Sequence, residues 1–195
     1  MAECKDYSWK THKKILEGAD FRSAKRVADI GCGRCLFFGE LRKINPNAEM
    51  AGIEPDKQEA EKARAKGYGV VEPKKINSLG KGFDFIVMTE VIEHLTEGEA
   101  EGYFRWAAKA LNSGGFFILS TPNIRNLFML HNFWDAAGHR RPYTAQTVRD
   151  LASKFGFEFV KELGVNHYIN PLKVAVNIAL GMENSCNKIY FLRKR

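Results

Sequence analysis

The segment VADIGCGRC, residues 27–35, joins an apolar run to two closely spaced glycines. The run ends at Ile30, and the chain then passes through Gly31, Cys32 and Gly33 into a helical pattern. Glycine adopts positive φ and lets a ligand approach the backbone, and free N–H groups at the start of a helix can hold a carboxylate or phosphate. We therefore predict that these three residues form a nucleotide-binding turn.

The turn lacks the third glycine of the dinucleotide fingerprint G-x-G-x-x-G, because Leu36 stands at that position. An NAD-type cofactor is therefore disfavoured. Asp29 is also unexpected at the end of a buried apolar run, since an unpaired buried charge is costly. A cationic ligand would give this carboxylate a partner, so we assign Asp29 to the ligand site.

A second acidic residue, Glu54, ends the next apolar run in AGIEPD, residues 51–56. Its carboxylate can accept hydrogen bonds from both hydroxyls of a ribose. The alternative is a surface glutamate before a turn proline, Pro55. Because the second strand of such a unit lies beside the first at the ligand crevice, we favour a ribose contact by Glu54, with Pro55 next to it.

The segment TEVIEHL, residues 89–95, follows a later apolar run and should emerge at the same edge of the sheet. We predict that Thr89 and Glu90 contact the nucleotide and that His94 is a candidate general base, since an imidazole titrates near neutral pH. A structural or helix-capping role for His94 stays open. Glu90, Glu93 and His94 could bind a divalent ion, but their spacing is not diagnostic and we expect no metal.

Residues 122–143 form a long stretch without a clear period, which is typical of a functional or mobile loop. Apolar side chains here could line a substrate pocket, and basic or polar side chains could meet an anionic group. The alternative is that the aromatic residues pack as a local core. The candidate substrate residues are Phe128, Trp134, His139, Arg140, Arg141 and Tyr143.

Cys32 and Cys35 have C-x-x-C spacing at a helix start, which could lower a thiol pKa or begin a metal site. No second cysteine pair completes a zinc set, so we favour a structural role. Together with Cys4 and Cys186, these cysteines show no secreted-domain spacing.

Alternating strand and helix patterns place these residues on an α/β fold with a parallel sheet and helices on both faces. The predicted strands are residues 26–30, 49–53, 69–71, 83–89 and 116–120. The predicted helices are residues 35–43, 57–66, 98–111 and 145–154. At the C-terminus, strand patterns at 157–165 and 188–192 flank an apolar helix at 171–180 and predict an antiparallel pair at one edge of the sheet.

The chain has 195 residues, of which 45% are hydrophobic and 27% charged, as expected for one globular domain. Its net charge of +7 favours an anionic partner, either through a solvated basic surface or through a nucleic-acid footprint. No apolar run at the start reads as a signal peptide, and none approaches the roughly 20 residues that cross a bilayer. We expect a cytoplasmic protein without a membrane span.

Taken together, residues 27–159 resemble the class I S-adenosylmethionine-dependent methyltransferases, especially the small-molecule group that includes ubiquinone-biosynthesis O-methyltransferases. FDFIVMTEVIEHL, GGFFILSTPN and HRRPYTAQTVRDLASKFGFE carry the later part of the resemblance. It implies a Rossmann-like three-layer sandwich whose mostly parallel, seven-stranded sheet has an antiparallel C-terminal edge strand. One domain, 1–195, would comprise a cofactor half at about 20–120, a lid and substrate region at about 122–145 and an edge pair at about 157–195.

The resemblance implies that Asp29 and the glycines hold the methionine end of S-adenosylmethionine and that Glu54 binds its ribose. Two departures are Cys35, where many members have a third glycine, and VEPKKINSLG, which lacks the acidic residue that often contacts adenine. The implied activity is methyl transfer to a small molecule through oxygen. An RNA or protein methyltransferase and a non-catalytic cofactor-binding regulatory protein remain alternatives.

Overall fold

Seven strands form one mixed sheet in the computed structural model, which describes residues 7–167 and 170–195. The strands are β1 Arg26–Ile30, β2 Glu49–Ile53, β3 Gly69–Val71, β4 Phe83–Thr89, β5 Leu111–Pro122, β6 Phe157–His167 and β7 Ser185–Lys194. Their order across the sheet is β3-β2-β1-β4-β5-β7-β6.

Strands β1 to β5 pair in parallel, and β7 runs antiparallel to both β5 and β6. This confirms the predicted α/β class and the antiparallel C-terminal pair. Within the pair, the C-terminal strand β7 lies second from the edge and β6 forms the edge itself. The single-domain boundaries stay a prediction.

Helices cover both faces of the sheet because alternate residues of the central strands point to opposite sides. In β4, Ile86 and Met88 join the core on one face, and Phe85 and Val87 join the core on the other. The helices are α1 Tyr7–Gly18, α2 Leu36–Ile44, α3 Lys57–Ala65, α4 Glu97–Ala110, α5 Leu127–Asp135, α6 Ala145–Lys154 and α7 Pro171–Ala179. No helix in the described ranges is long and apolar enough to cross a membrane.

The segment at 122–143, which the sequence predicts to be a long irregular loop, contains the helix α5. Asn126 caps it by accepting a hydrogen bond from the backbone N–H of Phe128. The helix is short and has apolar side chains at most positions, so polar residues do not mark its outer face clearly. The prediction of a loop without regular structure is therefore wrong for residues 127–135.

Two loops at the carboxyl edge of the sheet meet at Gly31 and Val91. Gly31 has φ +74°, and a Cβ atom built on it would lie 2.3 Å from Cγ2 of Val91. Its N–H donates to the carbonyl of Ile53 at 2.7 Å. The packing of the β1–α2 turn against the loop after β4 therefore requires glycine at position 31.

We predict that Gly31→Ala destabilises the fold by about 2–5 kcal/mol, through overpacking and left-handed strain. Val91→Ala should stabilise that variant although it destabilises the wild type, because the nearest remaining carbon, Cβ of Val91, would lie at an ordinary 3.6 Å. Urea unfolding of the wild type, the two single variants and the double variant measures both effects. If Val91→Ala lowered the free energy of unfolding equally in the wild type and in Gly31→Ala, the packing role of Gly31 would be contradicted.

Candidate functional site

The carboxylate of Glu54 lies against the glycine turn at the carboxyl ends of β1 and β2. Oε2 accepts a hydrogen bond from the N–H of Gly33 at 2.7 Å, and Oε1 accepts one from the N–H of Asp56 at 2.9 Å. The side chain is largely buried, and a Cβ on Gly33 would meet open space within 4 Å. The predicted association of the turn with Glu54 is therefore present, and the backbone beside Gly33 is open to a ligand.

Asp29 is the second acidic group at this edge, and it is only 4% exposed. Within the described part of the chain, its carboxylate accepts no hydrogen bond. Burial, followed by the nearby charge of Glu54, raises the pKa of Asp29 well above its ordinary value. A cationic group placed beside Asp29 would favour its ionised form, which is the chemistry expected of a ligand with a positive charge.

A cavity of about 800 Å³ opens from the turn and runs along α4. This volume is typical of small-molecule sites. Its walls include Ile30, Gly31, Glu54, Pro55, Ile76, Asn77, Val91, His94, Leu95, Glu99, Tyr103 and Trp106. Asn77 and the α4 residues do not stand out in the sequence, although Glu99, Tyr103 and Trp106 are spaced as one face of a helix.

Asn77 lies in the wall that the 3₁₀ helix Pro73–Leu79 contributes to this cavity. This helix belongs to VEPKKINSLG, in which we expect no acidic contact with adenine; the acidic residue of the segment, Glu72, precedes the helix and pairs with Lys74. A side-chain amide both donates and accepts hydrogen bonds, so Asn77 offers the cavity a polar group that needs no charge.

The side chains of Cys32 and Cys35 are buried under the turn. The N–H of Cys32 donates to the carbonyl of Ile53, and its own carbonyl accepts from the N–H of Cys35. A hydrogen bond with Cys35, followed by burial, raises the pKa of the Cys32 thiol. This favours the structural interpretation of the pair over a reactive thiolate, and the contact of Cys32 with a cofactor stays a prediction. Cys4 lies outside the described residues.

Thr89 ends β4 and Glu90 follows it, as predicted, but the carboxylate of Glu90 lies between β5 and β7 rather than in the cavity wall. A contact of either residue with the cofactor stays a prediction. Ser120 Oγ donates to Oε1 at 2.6 Å, and Asn187 Nδ2 donates to Oε2 at 2.8 Å. Burial raises the pKa of Glu90 to about 7, and these two hydrogen bonds oppose the rise. The Oγ1 atom of Thr89 is buried without a partner in the described ranges.

Glu93, His94 and His139 form a cluster in which one ligand atom from each side chain lies within 4.8 Å of the others. Nδ1 of His139 lies 2.9 Å from the carbonyl oxygen of Phe133. Because that carbonyl can only accept, Nδ1 carries the hydrogen and Nε2 keeps its lone pair. His139 therefore replaces Glu90 in the set that the sequence analysis considered for a divalent ion.

The carboxylate of Glu93 gives this cluster a buried acidic group. Glu93 is 1% exposed, and its Oε2 makes no hydrogen bond within the described residues. Burial, followed by the charge of Glu90, raises the pKa of Glu93 well above its ordinary value. Burial also lowers the pKa of His139, which favours its neutral imidazole. Two imidazoles and a carboxylate are a suitable donor set for a divalent transition-metal ion.

The remaining candidate substrate residues do not line the cavity. Tyr143 is buried in the core, as the local-core alternative expects, and Arg141 pairs with Glu97 at 3.1 Å. The other three lie on or just after α5: Phe128 is half-buried, and Trp134 and Arg140 are exposed. A role for these residues in substrate binding stays a prediction.

Curated relatives that share one name are 28–29% identical to this chain. The "Ubiquinone biosynthesis O-methyltransferase" of Rhizobium leguminosarum bv. trifolii (strain WSM2304) is 29% identical over 190 residues, which cover 85% of this chain and 73% of the relative. The protein of that name from Methylobacterium sp. (strain 4-46) is 28% identical over 131 residues, 63% of this chain and 51% of the relative. The chain thus spans about half the length of the second relative.

Solved structures share the fold at lower identity. A SAM-dependent methyltransferase from Archaeoglobus fulgidus matches with a TM-score of 0.76 and 19% identity, covering 93% of this chain and 91% of that chain. An S-adenosylmethionine-dependent methyltransferase from Mesorhizobium loti matches with a TM-score of 0.68 and 17% identity, covering 95% and 97%. At these identities the likeness concerns the fold.

The sequence pattern of the family described as "Methyltransferase domain" matches residues 7–162, which is most of the chain. The match includes β1 to β5, the glycine turn and Glu54. The chain therefore belongs to the methyltransferase domain family and has the fold of class I S-adenosylmethionine-dependent methyltransferases.

Proposed function

We propose that this protein transfers the methyl group of S-adenosylmethionine to an acceptor molecule. The observation that carries the proposal is the buried Asp29 carboxylate, which has no hydrogen-bond donor in the described chain and lies close to Glu54 and the open glycine turn. When bound, the cofactor supplies an electrophilic methyl group on a sulfonium. Its positive charge and its ribose hydroxyls fit two acidic side chains better than a neutral or anionic nucleotide would.

In this assignment Asp29 and the backbone of the turn hold the methionine end, and Glu54 accepts hydrogen bonds from the ribose hydroxyls. Pro55, Asn77 and Leu95 in the cavity wall would then hold the adenine. Methyl transfer is an in-line displacement, so the task of the protein is to align two molecules and exclude water. The largely apolar walls of the cavity suit both requirements.

We propose that the acceptor is a small molecule with a nucleophilic oxygen and that the protein acts in the cytoplasm. The names of the curated relatives support oxygen as the atom methylated, and His94 lies in the cavity wall where a base or a ligand could act. The net charge of +7 keeps an RNA or protein acceptor as the alternative. Salt-dependent RNA binding would favour that alternative, since phosphate contacts release counterions.

Glu54→Gln tests the cofactor site. Removal of the charge should weaken S-adenosylmethionine binding about 10- to 100-fold, because hydrogen bonds to a charged group contribute roughly 1.5–3 kcal/mol. The midpoint of thermal unfolding should fall modestly, since glutamine can accept only one of the two backbone hydrogen bonds that Glu54 accepts, so the affinity is measured well below the unfolding midpoint of the variant. Calorimetric titration with S-adenosylmethionine and S-adenosylhomocysteine measures the affinity.

Glu49→Gln is the matched control, because Glu49 lies at the opposite end of the same strand, exposed and paired with Arg26. It should bind the cofactor as the wild type does. Wild-type affinity in Glu54→Gln would refute the ribose assignment. Cofactor binding without turnover on phenols, catechols or RNA would favour the non-catalytic alternative.

We further propose, against the sequence expectation of no metal, that Glu93, His94 and His139 hold a divalent cation. The buried Oε2 of Glu93 and the free lone pair of His139 support this donor set. Such a cation would supply a Lewis acid that lowers the pKa of an acceptor hydroxyl. If no metal binds, His94 remains the candidate general base of the sequence prediction.

His139→Ala should weaken Mn²⁺ binding by at least about tenfold, as expected for the loss of a metal ligand. Electron paramagnetic resonance of Mn²⁺ titrations measures the affinity, and methylation of 3,4-dihydroxybenzoate with and without a chelator measures the effect on activity. The control is His131→Ala, since His131 is exposed on α5 and pairs with Asp135. Equal Mn²⁺ affinity in the wild type and His139→Ala would contradict the proposed site.

A further inference from the structure

A chain of buried polar side chains connects the loop after β4 to the C-terminal strands. It runs from Ser120 at the end of β5 through Glu90 to Asn187 on β7 and Asn166 on β6. Ser120, Asn166 and Asn187 are all buried. Since unsatisfied polar groups in such surroundings are costly, a connected chain of this kind strongly constrains the positions of its members.

The hydrogen bonds of this chain run toward the carboxylate of Glu90 from both sides. Ser120 Oγ donates to Oε1 of Glu90 at 2.6 Å, and Asn187 Nδ2 donates to Oε2 at 2.8 Å. Asn166 Nδ2 then donates to Oδ1 of Asn187 at 3.2 Å. When ionised, the carboxylate of Glu90 only accepts, and the orientation of the Asn187 amide is then determined on both sides.

Two residues of the chain have left-handed backbone conformations, which are uncommon outside glycine. Glu90 has φ +52°, and Asn166 has φ +56°. Such residues persist where their surroundings hold them, and both are bonded here to Asn187. The backbone N–H of Glu90 is also held, because it donates to the carbonyl oxygen and to Oγ of Ser120 at 3.2 and 3.3 Å.

The left-handed turn at Glu90 sets the direction in which the chain leaves β4. The next residue, Val91, packs against Gly31 of the glycine turn, and Glu93 and His94 follow at the cavity and the histidine cluster. The side-chain hydrogen bonds of Glu90 therefore hold a turn on which three parts of the site depend. Neither Ser120 nor Asn187 lines the cavity.

We infer that Asn187 is a positioning residue for the loop of the active site. With Ser120 it holds the carboxylate of Glu90 and thereby the turn that carries Val91, Glu93 and His94. Glu90 serves this purpose through its hydrogen bonds and makes no direct contact with the cofactor or the acceptor. The catalytic consequence rests on the proposed function, whereas the positioning itself does not.

An exchange of the two functional groups tests this inference. In Glu90→Gln alone the new NH2 group faces either the amide of Asn187 or the hydroxyl of Ser120, so one of these two hydrogen bonds is lost or reversed. Asn187→Asp alone sets two carboxylates together. The double variant retains every hydrogen bond: the glutamine carbonyl accepts from Ser120, its amide donates to the new aspartate, and that aspartate accepts from Asn166. The control double variant is Glu49→Gln/Asn132→Asp, which makes the same changes at two exposed positions.

Three readouts are needed: thermal unfolding, the ¹H–¹⁵N resonances of Val91, Glu93 and His94, and S-adenosylhomocysteine affinity with turnover of 3,4-dihydroxybenzoate. Each single variant should move these resonances and reduce kcat about 10- to 100-fold, as misplaced groups do. The double variant should return the three resonances to their wild-type positions. It should also bring kcat to within about threefold of the wild type, because the paired changes are coupled.

Two results would overturn the inference. Single variants that lower the unfolding midpoint but leave the three resonances and kcat unchanged would give Asn187 only a structural role. A double variant as impaired as Glu90→Gln would mean that Glu90 acts by its own charge on a ligand. If the wild type neither binds S-adenosylhomocysteine nor turns over, the proposed function fails, and the recovery of the three resonances still decides the positioning role.

Discussion

The site depends on the placement of two acidic side chains, Asp29 and Glu54, at the carboxyl ends of adjacent parallel strands. The register of β1 and β2 pairs Asp29 with Gly52, so Glu54, which follows β2, lies beside the glycine turn. The N–H of Gly33 in the turn and the N–H of Asp56 stabilise the carboxylate of Glu54, while Asp29 receives no such donor from the described chain. The sheet thus builds an edge whose electrostatics favour a positively charged ligand.

The loop after β4 completes this edge from the other side. Since β1 and β4 are neighbours, Val91 packs against Gly31, and this contact leaves no room for a larger residue in the turn. The C-terminal strands, far away in sequence, hold the same loop through Asn187 and Glu90. The antiparallel end of the sheet therefore supports the site as well as closing the core.

The sequence predicts the parallel strands well because their buried runs are almost wholly apolar and end at polar residues. It also identifies the glycine turn and Glu54, whose chemistry lies in short contiguous segments. It misses α5, since LFMLHNFWD is apolar at most positions and the helix is short. Two features depend on tertiary contacts over long separations: His139 joining Glu93 and His94, and Asn187 binding Glu90 across 97 positions.

The backbone amides of Gly33 and Asp56 report most directly on the central claim, because both donate to the carboxylate of Glu54. Titration of ¹⁵N-labelled protein with S-adenosylhomocysteine, followed by ¹H–¹⁵N correlation spectra, tests it. We predict that these two amides shift among the most, together with that of Asn77 in the cavity wall, because ribose hydroxyls must share the carboxylate. Saturable binding that leaves the Gly33 and Asp56 amides unmoved would contradict the account.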